Sequence, residues 1–332
     1  MKPPYYHFVL LLGLVLLALA LLCSVSVGSR NIPLNITIDA FRAFDTGLTD
    51  HLLVRELRVP RTLVTFFCGS ALSVAGLLMQ SMTRNLVAEP GLLGVSAGAS
   101  FGVVIGISLF GMTAPMLLMV NGSIGAGLCA ICIMLLVSGR NRMTTDKLIL
   151  AGVAFSSVCL ALSQLLIVSS ELSAFDSFRQ WMVGSTGGRG FDILLPLVIC
   201  WFLALILTSF IAPALDAMVL GETLGKVLGV NAIWLWRITL VCITLLAGAA
   251  TAAAGPIIFI GLVVPYFSRL LSPASHYRQL VACALYGGII LLLADILGRV
   301  LLAPDEVSVG VVMAMLGGPF FIYLVRRDLQ AM

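Results

Sequence analysis

Ten stretches of mostly apolar residues dominate the chain and leave it few ways to fold. They are residues 8–27, 62–82, 92–110, 115–137, 148–168, 191–211, 236–254, 256–271, 280–302 and 308–325. A helix rises about 1.5 Å per residue, so roughly 20 apolar residues cross the hydrocarbon core of a bilayer. Hydrophobic residues make up 60% of the 332 and charged residues only 10%. A soluble domain carries about 25% charged residues, and a chain this apolar has too little polar surface to cover itself in water. The sequence therefore predicts an all-α polytopic membrane protein of about ten transmembrane helices, with residues 1–332 forming one membrane domain. Only Lys2 precedes the first run, and no clean small-x-small cleavage site follows Cys23. That run is expected to remain as a helix and not to leave as a secretory signal.

Ten spans put both termini on one side, and loops rich in Lys and Arg stay cytoplasmic. With cytoplasmic termini the inner segments hold eleven basic residues: Lys2, Arg84, Arg140, Arg142, Lys147, Lys226, Arg237, Arg269, Arg278, Arg326 and Arg327. The outer segments hold eight: Arg30, Arg42, Arg55, Arg58, Arg61, Arg179, Arg189 and Arg299. The longest segments between spans are about 28–61 and 169–190 outside and 212–235 inside, none large enough for a catalytic soluble module. Energy for any transport has to come from a partner or an ion gradient. The net charge of +4 comes with no basic tract, so nucleic acid is not expected as a partner.

The polar chemistry within the spans is sparse. All eight cysteines fall in apolar runs, where they act as small hydrophobes. Cys129 and Cys132 have C-x-x-C spacing but no strand–helix context. His7, His51 and His276 are too scattered for a metal site. No cofactor or metal is expected. Gly94, Gly98, Gly102 and Gly106 recur at every fourth position, a small-residue stripe suited to close helix packing. Pro256 and Pro265 fall in the eighth and shortest run, where proline removes a backbone donor and bends a helix. Such a bend is either simply packed or shapes a cavity.

Asp295 and Arg299 lie one turn apart near the end of the ninth run and can pair at i, i+4. Arg299 reads either as a structural partner of Asp295 or as an outward fork for a carboxylate. Arg58-Val-Pro-Arg61 opens the second run on the same side. These two arginines read either as interfacial anchors or as binding residues, since cations oppose the dipole at a helix N-terminus. On the inner side, Leu220, Leu224 and Leu228 recur at i, i+4 and i+8 within 215–231. This short amphipathic helix suits a bilayer surface or a partner groove. Gly221 to Lys226 is not a phosphate-binding loop. It is one residue short, and Val227 replaces the hydroxyl that would hold magnesium.

Several blocks, in order, resemble the FecCD-type permeases of iron-siderophore and cobalamin ABC importers. They are Arg58-Val-Pro-Arg61, Gly76-Leu-Leu-Met-Gln80, Asn85 to Gly98, Leu220-Gly-Glu-Thr with Leu228-Gly-Val-Asn231, Gly255 to Pro265, Leu293-Ala-Asp295 and Leu316-Gly-Gly-Pro319. Leu86 and Tyr266 depart from the family's usual proline and histidine. The resemblance implies a type II ABC importer permease fold with ten helices per subunit. It implies a dimer of permease subunits, homo- or heteromeric, with two cytoplasmic ATPase subunits below and a periplasmic substrate-binding protein above. Leu220, Gly221, Glu222, Thr223, Leu224, Leu228 and Gly229 correspond to the coupling segment against the ATPases. Arg58, Arg61 and Arg299 correspond to arginines that meet acidic residues of the binding protein. Pro256 and Pro265 then belong to a kinked helix beside the pathway. The implied function is ATP-driven import of a ferric siderophore across the bacterial inner membrane by alternating access, with cobalamin or haem as the alternative cargo. A gradient-driven carrier would place ionisable residues near the bilayer midplane. An intramembrane hydrolase needs an acid–base constellation such as H-E-x-x-H. The sequence supports neither.

Overall fold

A bilayer gives backbone amides no partner, so each apolar run satisfies its own as a helix. The computed structural model describes residues 6–28, 32–137, 145–271 and 275–331, and among these there is no strand. Several inner-side cations counted above, Lys2, Arg140 and Arg142, lie outside the described residues. The helices are α1 (Tyr6–Ser26), α2 (Leu34–Arg42), α3 (Thr49–Thr83), α4 (Val95–Phe110), α5 (Pro115–Val137), α6 (Thr145–Val168), α7 (Leu172–Met182), α8 (Phe191–Val219), α9 (Glu222–Val227), α10 (Ala232–Ala254), α11 (Ile260–Leu271), α12 (His276–Leu301) and α13 (Val309–Ala331). Seven are long and apolar enough to cross a membrane, and α4, α11 and α13 add three shorter apolar helices. Together these ten match the ten runs of the sequence.

Helix α3 is the axis of the bundle. Its apolar window is 83% buried, against 17% for α1, whose leucines face outward. Small residues explain the difference: Gly69, Ser70, Ala71, Ser73, Ala75 and Gly76 let neighbours approach. A Cβ at Gly69 would overlap the Gly287 carbonyl of α12, and one at Gly76 would overlap the Gly261 carbonyl of α11. The stripe on α4 works in the same way against α5. A Cβ at Gly98 would lie 2.5 Å from Cys129 Cβ, and one at Gly102 would overlap the Asn121 carbonyl. Gly94 serves by its conformation (φ +72°) at the start of α4, whereas Gly106 has ordinary room.

The structure moves several expected boundaries. Helix α3 begins at Thr49, so Arg55, Arg58 and Arg61 ride on it, through a widened turn at Leu53–Arg58, and do not lie in a loop before it. Helix α8 runs through Pro213 to Val219, which shortens the segment expected at 212–235 to the stretch between Val219 and Ala232. The two prolines do not share a helix. Pro256 sits in a break between Ala254 and Ile260, where Gly255 (φ +79°) and Phe259 (φ +69°) turn the chain, while Pro265 lies inside α11. Pro265 cannot donate to the carbonyl four residues earlier, that of Gly261. Gln80 Nε2 of α3 donates to it instead (3.3 Å). The bend is thus stitched by a side chain of the central helix.

Candidate functional sites at the two ends of the bundle

At one end, α3, α12 and the end of α1 enclose an ion-pair cluster. Asp295 is buried and takes five donors. Arg61 Nη2 (2.8 Å) and Nε (3.3 Å) and Thr186 Oγ1 (3.2 Å) reach Oδ1, and Arg299 reaches Oδ2 through Nε (2.9 Å) and Nη2. Arg299 is only 2% exposed, and its Nη1 donates to the Ser24 carbonyl (2.7 Å). Arg58, 6% exposed, donates through Nη1 to the carbonyls of Val25 (2.9 Å) and Ser26 (2.7 Å). Helix α1 has no basic residue in its own last turn. Its unpaired C-terminal carbonyls attract cations from elsewhere. The apparent misfit of arginines at the start of an apolar run is thereby explained: they serve another helix's C-terminus. Of the three arginines expected to face a partner, only Arg61 reaches the surface. It is 15% exposed, and its Nη1 lies 2.7 Å from Glu306 Oε2.

The opposite end carries the α8–α9 turn. Gly221 (φ +115°) and Gly229 (φ +83°) bracket α9 with backbone turns that side chains resist. Leu220, Leu224 and Leu228 are all more than half exposed, as are Val219 and Val227. Asn231 closes the segment by capping α10, its Oδ1 accepting from Ile233 N (3.1 Å) and Trp234 N (3.3 Å). Two bonds fix where the turn leaves the bundle. Arg84 Nη2 donates to the Met218 carbonyl (3.0 Å). Asp216 Oδ1 accepts from the backbone N of His276 (2.8 Å), capping α12, whose own Ser275 caps nothing, and lies 2.6 Å from His276 Nδ1. His276 Nε2 in turn lies 2.9 Å from Ser81 Oγ. The order Ser–His–Asp resembles a hydrolase triad, but the Ser81 hydroxyl donates to the Leu77 carbonyl (2.7 Å). The histidine has no serine proton to take, so the trio is a lock between α3, α8 and α12.

Between the ends, Glu89 lies in the connector from α3 to α4. Its Oε1 accepts from Phe259 N (3.0 Å) at the start of α11, beside a cavity of about 90 Å³ that Ser96 and Pro256 also line. Burial pushes the Glu89 carboxyl above its usual range, and the bond from Phe259 only partly opposes this. Among the described residues, no cluster of three His, Cys, Asp or Glu side chains suits a metal.

Ten apolar helices, with an exposed apolar turn at one end of the bundle and a buried ion-pair cluster at the other, define a polytopic membrane protein. Two solved structures share the fold. A metal-chelate type ABC transporter described in an inward-facing conformation matches 96% of this chain and 99% of its own, with TM-score 0.85 and 24% identity. PsaBC from Streptococcus pneumoniae matches with TM-score 0.61 and 18% identity. The model of the FecCD transport family matches residues 16–327, and the chain belongs to that family. It is 34% identical to the probable siderophore transport system permease YfiZ of Bacillus subtilis, covering 96% of both chains. It is 37% identical to the ferric enterobactin permease FepD of Escherichia coli over 95% of this chain and 93% of that one. The vitamin B12 permease BtuC of Salmonella typhi is 39% identical over 83% of this chain and 84% of its own.

Proposed function

We propose that this permease imports a ferric siderophore across a bacterial inner membrane, using ATP hydrolysed by a separate subunit. The observation that carries the reading is the α8–α9 turn. Just past the end of a 29-residue spanning helix, the turn exposes Leu220, Leu224 and Leu228, with Leu224 on a six-residue helix between two positive-φ glycines and the other two leucines flanking that helix. Two cytoplasmic ATPase subunits would cover those leucines, with Leu220, Gly221, Glu222, Thr223, Leu224, Leu228 and Gly229 as the coupling segment. Both termini then lie in the cytoplasm, and the Arg61 end faces a periplasmic substrate-binding protein. There Arg61 meets the partner's carboxylate directly, and Arg58 and Arg299 add positive potential from beneath. A second permease subunit completes the pathway.

In this reading ATP shifts the pair between inward- and outward-open forms only through its different affinity for the two. Asp216 and Arg84 join the coupling turn to α12 and α3, so a push on the turn reaches both helices. A siderophore cargo is supported by the names of relatives that match along nearly their full length. The vitamin B12 relatives supply the second reading. The deciding experiment is uptake into proteoliposomes that hold the assembled transporter, comparing labelled ferric siderophores with cobalamin and haem, with and without ATP. Ferric siderophore uptake that depends on ATP is the expected result. Uptake of cobalamin or haem alone would overturn the cargo, and transport without ATP or the ATPase would overturn the class.

A further inference from the structure

We infer that Glu306 is a built-in stand-in for a carboxylate of the docking protein, and that docking proceeds by exchange of carboxylates on Arg61. The inference rests on the docking reading proposed above. Arg61 spends Nε and Nη2 on Asp295 and Nη1 on Glu306. The two carboxylates differ in one decisive way. Asp295 is 2% exposed and is held by Arg61, Arg299 and Thr186 together, so it cannot leave. Glu306 is 35% exposed and, among the described residues, has one ion pair, that to Arg61. Its backbone need not move for the side chain to swing away, because the next residue anchors the strand-like connector through Val307 N to the Gly298 carbonyl (2.9 Å).

An incoming carboxylate therefore has one practical seat, Arg61 Nη1, and Glu306 occupies it. A third carboxylate added beside Asp295 and Glu306 would meet repulsion, whereas an exchange preserves the charge balance. In the absence of the partner Glu306 also offsets the solvation lost by Arg61 and keeps the guanidinium aligned. Selectivity follows: a neutral or basic surface gains nothing from displacing Glu306, so only a partner with a well-placed acid docks.

The test uses the whole transporter in lipid nanodiscs and its own soluble substrate-binding protein, fluorescently labelled, at low and physiological salt. The variants are Glu306→Gln, Arg61→Gln, the double variant and Asp305→Asn. Asp305 is the control, an exposed neighbouring acid that carries no ion pair among the described residues. Glu306→Gln is expected to tighten binding roughly three- to ten-fold, mostly in the association rate and more at low salt. The gain should vanish when Arg61→Gln is also present, and Asp305→Asn should change Kd by less than about two-fold. Unchanged or weaker binding by Glu306→Gln, while Arg61→Gln weakens it, sinks the exchange and leaves the docking reading intact. An equal gain from Asp305→Asn also sinks it, since bulk charge then suffices. If Arg61→Gln binds like the wild type, the docking reading itself has failed and the exchange falls with it.

Discussion

Arg299→Met removes a guanidinium that is only 2% exposed, and its cost can be worked from the cluster. The variant loses the bonds to Asp295 Oδ2 and to the Ser24 carbonyl, and methionine keeps most of the packed volume. Removing one partner of a buried ion pair costs about 3–5 kcal/mol, since the other charge stays buried. Asp295 here keeps Arg61 and Thr186, so the low end applies, about 3 kcal/mol. At about 2 °C per kcal/mol for a long chain, the midpoint of thermal unfolding falls by roughly 6 °C. A thiol-reactive fluorophore reads this directly, because Cys68, Cys242 and Cys283 are free and buried until the bundle opens. Binding of the substrate-binding protein, measured below the melting range, should stay within about three-fold of wild type, whereas Arg61→Gln, which also strips two donors from Asp295, should weaken docking as well as lower the melting midpoint. An Arg299→Met protein that melts like the wild type but loses its docking partner would refute the assignment of Arg299 to the scaffold.

Three further outcomes follow from the packing. Gln80→Leu leaves the Gly261 carbonyl unpaired and should destabilise by about 1–3 kcal/mol. Adding Pro265→Ala, whose new N–H can reclaim that carbonyl, should recover much of the loss in a double-mutant cycle of melting temperatures. Gly102→Leu should fail to give a monodisperse protein in size-exclusion chromatography, because its side chain meets the Asn121 backbone, while Gly106→Ala should elute and melt like the wild type. Glu89→Gln tests a buried acid by its pH dependence. The folded Glu89 pKa is raised above its ordinary value of 4.5, so its stabilising contribution is complete below that value and is lost as pH rises through the folded pKa. The wild type should therefore lose ground to Glu89→Gln as pH rises above 4.5 in melting scans, and a gap independent of pH would contradict the burial argument.

What the sequence made legible depended on how local the cause was. The ten runs could be read directly, because lipid demands a length and a polarity and little else. The glycine stripe of α4 could be read for the same reason, although which of its members sits at a tight contact depends on where Asn121, Gly125 and Cys129 of α5 fall. A ruler of about twenty residues ended the sixth span at 211, but a helix that leaves the bilayer is not bound by its thickness, and α8 continues past Pro213. The arginines were visible as residues, but their inward contacts were not. Nothing near Arg58 or Arg299 in the chain announces that the end of α1 lacks a cation. Gln80, Asp216 and Ser81 were not singled out for their contacts, because each serves a group far away in sequence. Pro265 did offer one usable signal: it frees the carbonyl of Gly261, so some donor had to be found for it.

The pairing of Ser24 with Arg299 spans 275 positions of chain. A ribosome delivers α1 first and Arg299 almost last. Until the twelfth helix is inserted, Arg58 of α3 can reach the carbonyls of Val25 and Ser26, but the Ser24 carbonyl waits for Arg299, and Asp295 is not yet there to hold the clamp. The corner where these two meet is thus a seal set at the end of synthesis, and a truncated or stalled product lacking α12 leaves it open.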